Sequence, residues 1–313
     1  MARPATSEPV RRSLRARLLP PLIAAVEHLP LPMVSAMRPA TALALSLVPG
    51  WRDRVRRGMG AALGPENVPR GAVDRYFRRL ADLTAYGTAV IRSGARRGGF
   101  AGEWAIRPDA RDRVRAALAR GKGALLVSPH FVGHEVMAGV LGQDFPITFL
   151  VRESPDAEYE AIKQRWYASL GVQTVYRPGG KGRARGLGEM AAALGVLKQN
   201  RILGITPDLV RSAGSGTCVR LFGRETWLPA GAFYLAVRTD AVFLGATYHW
   251  EAGRYDLRLD PPLTLDPALD RDAAVACVAQ LWADQFEARV REHPEMWQFW
   301  LDKRWSRHLG VEQ

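Results

Sequence analysis

The feature that most narrows the fold is an alternation. After the Gly-rich break at Gly98 and Gly99, short apolar, β-rich runs alternate with segments of helical periodicity. The runs predict strands at 124–128, 147–152, 172–176, 202–206, 217–222, 241–250 and 255–259. The intervening periodicity predicts helices near 109–120, 133–141, 156–170, 185–199, 230–238 and 271–292, the last stopped by His293 and Pro294. Strands alternating with helices make a sheet buried on both sides. The expected class is therefore α/β, with a mixed, largely parallel central sheet covered by helices on both faces. Between Arg52 and Gly94 the pattern is purely helical: Val55, Met59, Ala62 and Leu63 share one face, and Val73, Phe77, Leu80 and Leu83 continue it. A 313-residue chain that is 47% hydrophobic can pack one large core, and no internal repeat or low-complexity linker divides it. The expected organisation is an N-terminal segment, 1–51, ahead of one domain, 52–313.

The N-terminal segment is basic and then apolar. Arg11, Arg12, Arg15 and Arg17 precede Leu18, Leu19, Leu22, Ile23 and Val26, and a second group, Leu43, Leu45, Leu47 and Val48, ends at Trp51. Pro20, Pro21, Glu27 and His28 interrupt the run too early for a secretory signal, and Glu27 and Arg38 break any span of 18 uncharged apolar residues. The expectation is a helical extension that lies on an anionic membrane surface without crossing it, with packing on the core as the plainer reading. The whole chain carries 44 Lys+Arg against 31 Asp+Glu, a net charge of +13, which calls for an acidic counterpart: anionic lipid, an acidic protein or nucleic acid. No nucleic-acid-binding motif is present to favour the last. Two cysteines, Cys218 and Cys277, are too few for a disulfide framework.

In an open α/β sheet, ligands gather beyond the carboxyl ends of the strands. The first central strand delivers Ser128-Pro129-His130 there, followed by a helix carrying Glu135. A histidine just before a helix, with a carboxylate one turn along to accept its Nδ1–H, leaves Nε2 free as a general base. With no serine or cysteine nucleophile in view, such a base suits deprotonation of an acceptor hydroxyl. A backbone-bonded loop histidine is the plain alternative. His134 also permits a two-histidine metal site, but no third ligand lies nearby in sequence.

Other residues leave two readings each. Arg165 has Ala161 and Ile162 at i−4 and i−3, so no local acid pairs it; it either meets a substrate phosphate or sits on a solvated face. Arg152, at the end of a strand, is a substrate contact or a tertiary ion-pair partner. Asp208 follows the run 202–205 to the same sheet edge and either serves the acceptor or the base, or caps local structure. The loop 177–185, Arg-Pro-Gly-Gly-Lys-Gly-Arg-Ala-Arg, is a phosphate cradle or a surface loop. Trp297, Phe299, Trp300 and Trp305 read first as core.

The segment His130-Phe131-Val132-Gly133-His134-Glu135 resembles the His-x4-acid motif of the lipid A biosynthesis lauroyl/myristoyl acyltransferases, a family that includes phosphatidylinositol mannoside acyltransferases. The order of further segments strengthens the likeness: Phe149-Leu-Val-Arg152 and then Arg165, Ile205-Thr-Pro-Asp208, Leu221-Phe222-Gly223 with Pro229-Ala230-Gly231, and the aromatic-basic stretch from Trp297 to Trp305. Val132-Gly133-His134 replaces the commoner Gly-Asn-Trp, and the family's early Asn-Leu is absent. The resemblance implies a glycerolipid-acyltransferase-like fold and a catalytic dyad of His130 and Glu135. It further implies substrate contacts from Arg152, Arg165 and Asp208, and an acyl-carrier protein or acyl-CoA thioester as co-substrate. The acceptor would be a membrane lipid, a lipid A precursor or related glycolipid, met at the cytoplasmic face of a bacterial inner membrane. No metal or redox cofactor is called for by this chemistry.

Overall fold

The computed structural model describes residues 29–93, 104–154, 156–177, 183–261, 263 and 268–312. The basic run 11–17 with its first apolar group, and most of the 177–185 loop, lie outside the described residues. Helices α1 (Leu31–Ala36), α2 (Arg38–Ser46), α3 (Trp51–Leu63) and α4 (Ala72–Ser93) come first. They are followed by β1 (Trp104–Ile106), α5 (Pro108–Ala119), β2 (Ala124–Val127), α6 (His134–Leu141), β3 (Ile147–Arg152), α7 (Ala157–Leu170) and β4 (Gln173–Arg177). The chain continues through α8 (Arg183–Lys198), β5 (Ile202–Ile205), β6 (Thr217–Leu221), β7 (Arg224–Leu228) and α9 (Gly231–Arg238). It closes with β8 (Val242–Glu251), β9 (Arg254–Leu259), α10 (Arg271–Glu292) and α11 (Lys303–His308).

Seven strands form one sheet in the order β1-β9-β8-β2-β5-β3-β4. Every neighbouring pair is parallel except β8 with β9. The expected mixed, largely parallel α/β sheet is therefore present. All four residues of β2 and of β5 are buried, as they must be where both faces of a sheet are covered. Two strands escape sequence reading. β1 is only three residues long and pairs with β9 some 150 positions away. β7 reads Arg-Glu-Thr-Trp-Leu and pairs with β6 across a tight turn in which Phe222 and Gly223 both have positive φ, 52° and 71°.

Local chemistry sets the helix boundaries. Asp156 caps α7 by accepting from the Glu158 and Tyr159 N–H groups, and Asp270 caps α10 through Ala273 N–H. Trp297, Trp300 and Trp305 are all buried, so the core reading of the aromatic tail holds. On α1, α2 and their caps, by contrast, Met33, Met37, Leu43 and Leu47 are 50%, 45%, 61% and 71% exposed. Among the described residues, no helix is long and apolar enough to cross a membrane.

Candidate active site

β2 and β5 lie side by side in register, Val127 opposite Ile205, so the segments that follow them leave the sheet at one edge. His130 comes from the first and Asp208 from the second. Nδ1 of His130 is 2.5 Å from Asp208 Oδ1, and the His130 backbone N–H donates to Oδ2 at 2.8 Å. The same carboxylate receives the Trp297 indole N–H at 2.9 Å, while the Trp305 indole N–H donates to the Asp208 carbonyl at 2.8 Å. Asp208 is fully buried. Burial alone pushes its pKa up, but the His130 charge and the hydrogen bonds from His130 and Trp297 outweigh it and hold the carboxyl below its usual range. An ionised acid on Nδ1 fixes that nitrogen as the proton-bearing one and turns Nε2 outward.

The Nε2 side has neighbours of its own. Thr206 Oγ1 lies 3.2 Å from Nε2, the Phe299 ring packs 4.4 Å from the imidazole, and the His130 side chain is 21% exposed. Thr206 also lines a cavity of about 230 Å³ whose other walls include Leu150, Met190, Ala193, Ile205 and Leu235. One wall of an apolar chamber thus carries the hydroxyl that touches His130 Nε2.

The C-terminal aromatic stretch supports this edge directly. Phe131 bridges Trp297, Val132 N–H donates to the Met296 carbonyl at 2.7 Å, and Gln298 N–H donates to the His130 carbonyl at 3.0 Å. Gln298 also donates its side-chain N–H to the Phe131 carbonyl at 3.0 Å. Residues 130–132 are therefore clamped to 296–298 on one flank and to Asp208 on the other.

The expectation that Glu135 accepts the Nδ1–H of His130 is corrected by this geometry: Asp208 occupies that position. Glu135 instead accepts from Trp166 Nε1 at 2.8 Å and Tyr167 Oη at 2.7 Å, both on α7. The physical reason is the helix entry. Gly133 caps α6 with φ +87°, and a Cβ there would meet the Trp104 ring at 2.2 Å, so the chain turns sharply before Glu135 is reached. His134 does not combine with His130 around an ion-sized gap. Its ring is buried, its Nδ1 lies 3.0 Å from the Phe131 carbonyl, and burial lowers its pKa. Arg152 is exposed at the end of β3, and Arg165 is exposed on α7 beside Trp166. Sequence reasoning missed Thr206 and Trp297 as members of the site. The signal for Thr206 was its place at the end of a strand adjoining that of His130; Trp297 was marked by the family resemblance of the 297–305 stretch, but its pattern alone read as core.

The chain matches the model of the bacterial lipid A biosynthesis acyltransferase family over residues 103–307. It is 30% identical over 271 residues to the phosphatidylinositol mannoside acyltransferase of Mycolicibacterium smegmatis, covering 84% of this chain and 83% of that one. It is 32% identical over 278 residues to the enzyme of the same name from Mycobacterium tuberculosis, covering 83% and 79%.

Proposed function

We propose that this chain, which belongs to the bacterial lipid A biosynthesis acyltransferase family, moves a fatty acyl group from a thioester to a hydroxyl of a membrane glycolipid. The observation that carries the mechanism is the His130–Asp208 contact, with Nε2 left facing the Thr206 side of an apolar cavity. Nε2 takes the acceptor hydroxyl proton as the oxygen attacks the thioester carbonyl. The tetrahedral intermediate collapses with loss of the thiolate, which recovers the proton from Nε2. The products are an ester and a free carrier thiol. Asp208, kept ionised, holds the imidazole tautomer and offsets the imidazolium charge; the Thr206 hydroxyl, 3.2 Å from Nε2, is assigned in this reading to donate to the developing oxyanion.

In this reading Glu135 belongs to the site as a positioning residue, tying α6 to α7. The cavity takes the acyl chain, and Arg152 and Arg165 meet phosphates of the donor or acceptor. The donor is an acyl-carrier protein or acyl-CoA, for either of which a net charge of +13 is favourable. The names of the relatives favour a phosphatidylinositol mannoside over a lipid A precursor as acceptor. Met33, Met37, Leu43 and Leu47 on α1, α2 and their caps seat the protein peripherally on the cytoplasmic face of the inner membrane, where such acceptors lie.

The test is lipid mass spectrometry after incubation with membranes and a pool of acyl-carrier-protein and coenzyme A thioesters, beside His130→Ala. A glycolipid heavier by one acyl group, and at least about 10²-fold slower to form with the variant, is expected. A variant as fast as wild type overturns the mechanism, and a product that is not a glycolipid overturns the acceptor.

A further inference from the structure

At the far end of β8 from its first residue, His249 is wholly buried. Its Nε2 lies 3.0 Å from the Thr247 hydroxyl oxygen, and its Nδ1 is buried with no hydrogen-bond partner among the described residues. An unpaired buried ring nitrogen costs about 1–3 kcal/mol and calls for an explanation. Facing it is the last turn of α10. The His293 ring packs edge-on at 4.7 Å, and one ligand atom from each of His249, Glu292 and His293 lies within 4.8 Å of the others.

From this cluster we propose a structural metal site: His249 Nδ1, His293 Nε2 and the Glu292 carboxylate bind one zinc ion or a similar borderline divalent metal. Two imidazoles and one carboxylate are a donor set for such a metal, with water completing the shell. The outer contacts suit it as well. A ligating histidine usually gives its second ring N–H to a fixed acceptor, which sets the tautomer. Here the Thr247 hydroxyl takes that place for His249, and the Glu295 carboxylate lies 3.6 Å from His293 Nδ1. Metal binding also requires neutral imidazole. The burial of His249 favours that neutral form.

Ligands around 2.0–2.2 Å from a shared ion stand roughly 3.3 Å apart, so the cluster must contract. His249 is held in a strand, whereas His293 is the C-cap of α10, with φ −136° and ψ 65°, and Glu292 is exposed on the preceding residue. Closure therefore falls to the end of the helix. Glu292 must exchange its 3.0 Å contact with Arg289 for the ion, and Arg289 keeps Asp260 at 2.9 Å. The ion would pin β8 to the start of the 294–298 stretch, whose Trp297 and Gln298 hold the Asp208 and His130 region.

The experiment uses the full chain stripped with a chelator and titrated with Zn²⁺ against a chromogenic competitor, with the melting midpoint followed in parallel. One equivalent is expected to bind and raise the midpoint. Glu292→Gln and His293→Ala, both outside the buried core, are each expected to weaken binding by about tenfold or more. Failure of the wild-type chain to take up one equivalent overturns the proposal. So does uptake that neither variant weakens, which would assign the binding to other surface groups.

Discussion

Nδ1 of His130 and Oδ1 of Asp208 stand 2.5 Å apart although 78 positions separate them in the chain. Replacing the acid by its amide keeps the size but removes the charge that fixes the tautomer. Asp208→Asn is expected to lower kcat by about 10²–10⁴-fold, in keeping with the worth of a positioned general base. Asp208→Ala should in addition lower stability by about 1–3 kcal/mol, because the buried Trp297 indole and the His130 N–H lose their acceptor. Steady-state rates and denaturant midpoints on the two variants separate the effects.

Glu135→Gln probes the other acid of the motif. Its partners are the Trp166 and Tyr167 donors on α7, so the variant is expected to lose at least tenfold less kcat than Asp208→Asn while unfolding at lower temperature. Equal kcat losses in both variants would restore Glu135 as the acid that serves His130.

Gly231 lies at the cavity wall, and a Cβ built there meets nothing within 4 Å. Gly231→Leu should therefore fill part of the chamber without backbone strain. The expected outcome is a shift of donor preference toward shorter thioesters, read as the ratio of kcat/KM for long and medium chains. An unchanged ratio would place the acyl chain elsewhere.

Four exposed apolar side chains on α1, α2 and their caps should carry membrane affinity without carrying stability. Changing Met33, Met37, Leu43 and Leu47 together to Gln is expected to weaken co-sedimentation with anionic liposomes by about tenfold or more. The melting midpoint should stay close to wild type. Unaltered sedimentation would assign the contact to other surfaces.

His249 should make the metal-stripped protein acid-sensitive. Its folded pKa is lowered to about 3, whereas an unfolded histidine titrates near 6.5. Between those values the unfolded chain holds a proton that the folded chain refuses, so stability falls as pH drops from about 6.5 toward 3. His249→Gln is expected to show a shallower fall in unfolding free energy, read from denaturant midpoints, between pH 7 and pH 4.5, the difference being on the order of 1 kcal/mol per pH unit.

Periodicity and strand-end position made much of this legible in the sequence. The runs that became β2 and β5 were long enough and apolar enough to stand out, and each placed a chemically useful residue, His130 or Asp208, just past its end. The buried aromatic tail was legible because clustered tryptophans carry so much apolar surface that burial is the default for them. What local pattern did not contain was pairing. β1, at three residues, exists only because β9 accepts it, and β7 only because a positive-φ turn folds it onto β6.

The sequence by itself determined that this is an alternating α/β chain with His130 at a sheet edge, because side-chain periodicity and strand length act over a few residues. Only the tertiary structure decided which acid serves that histidine. The parallel pairing of β2 with β5 brought Asp208 to Nδ1, while the left-handed entry at Gly133 turned Glu135 toward Trp166 and Tyr167. Spacing within one helix turn suggested the nearer acid, and strand order, which no local pattern encodes, supplied the distant one.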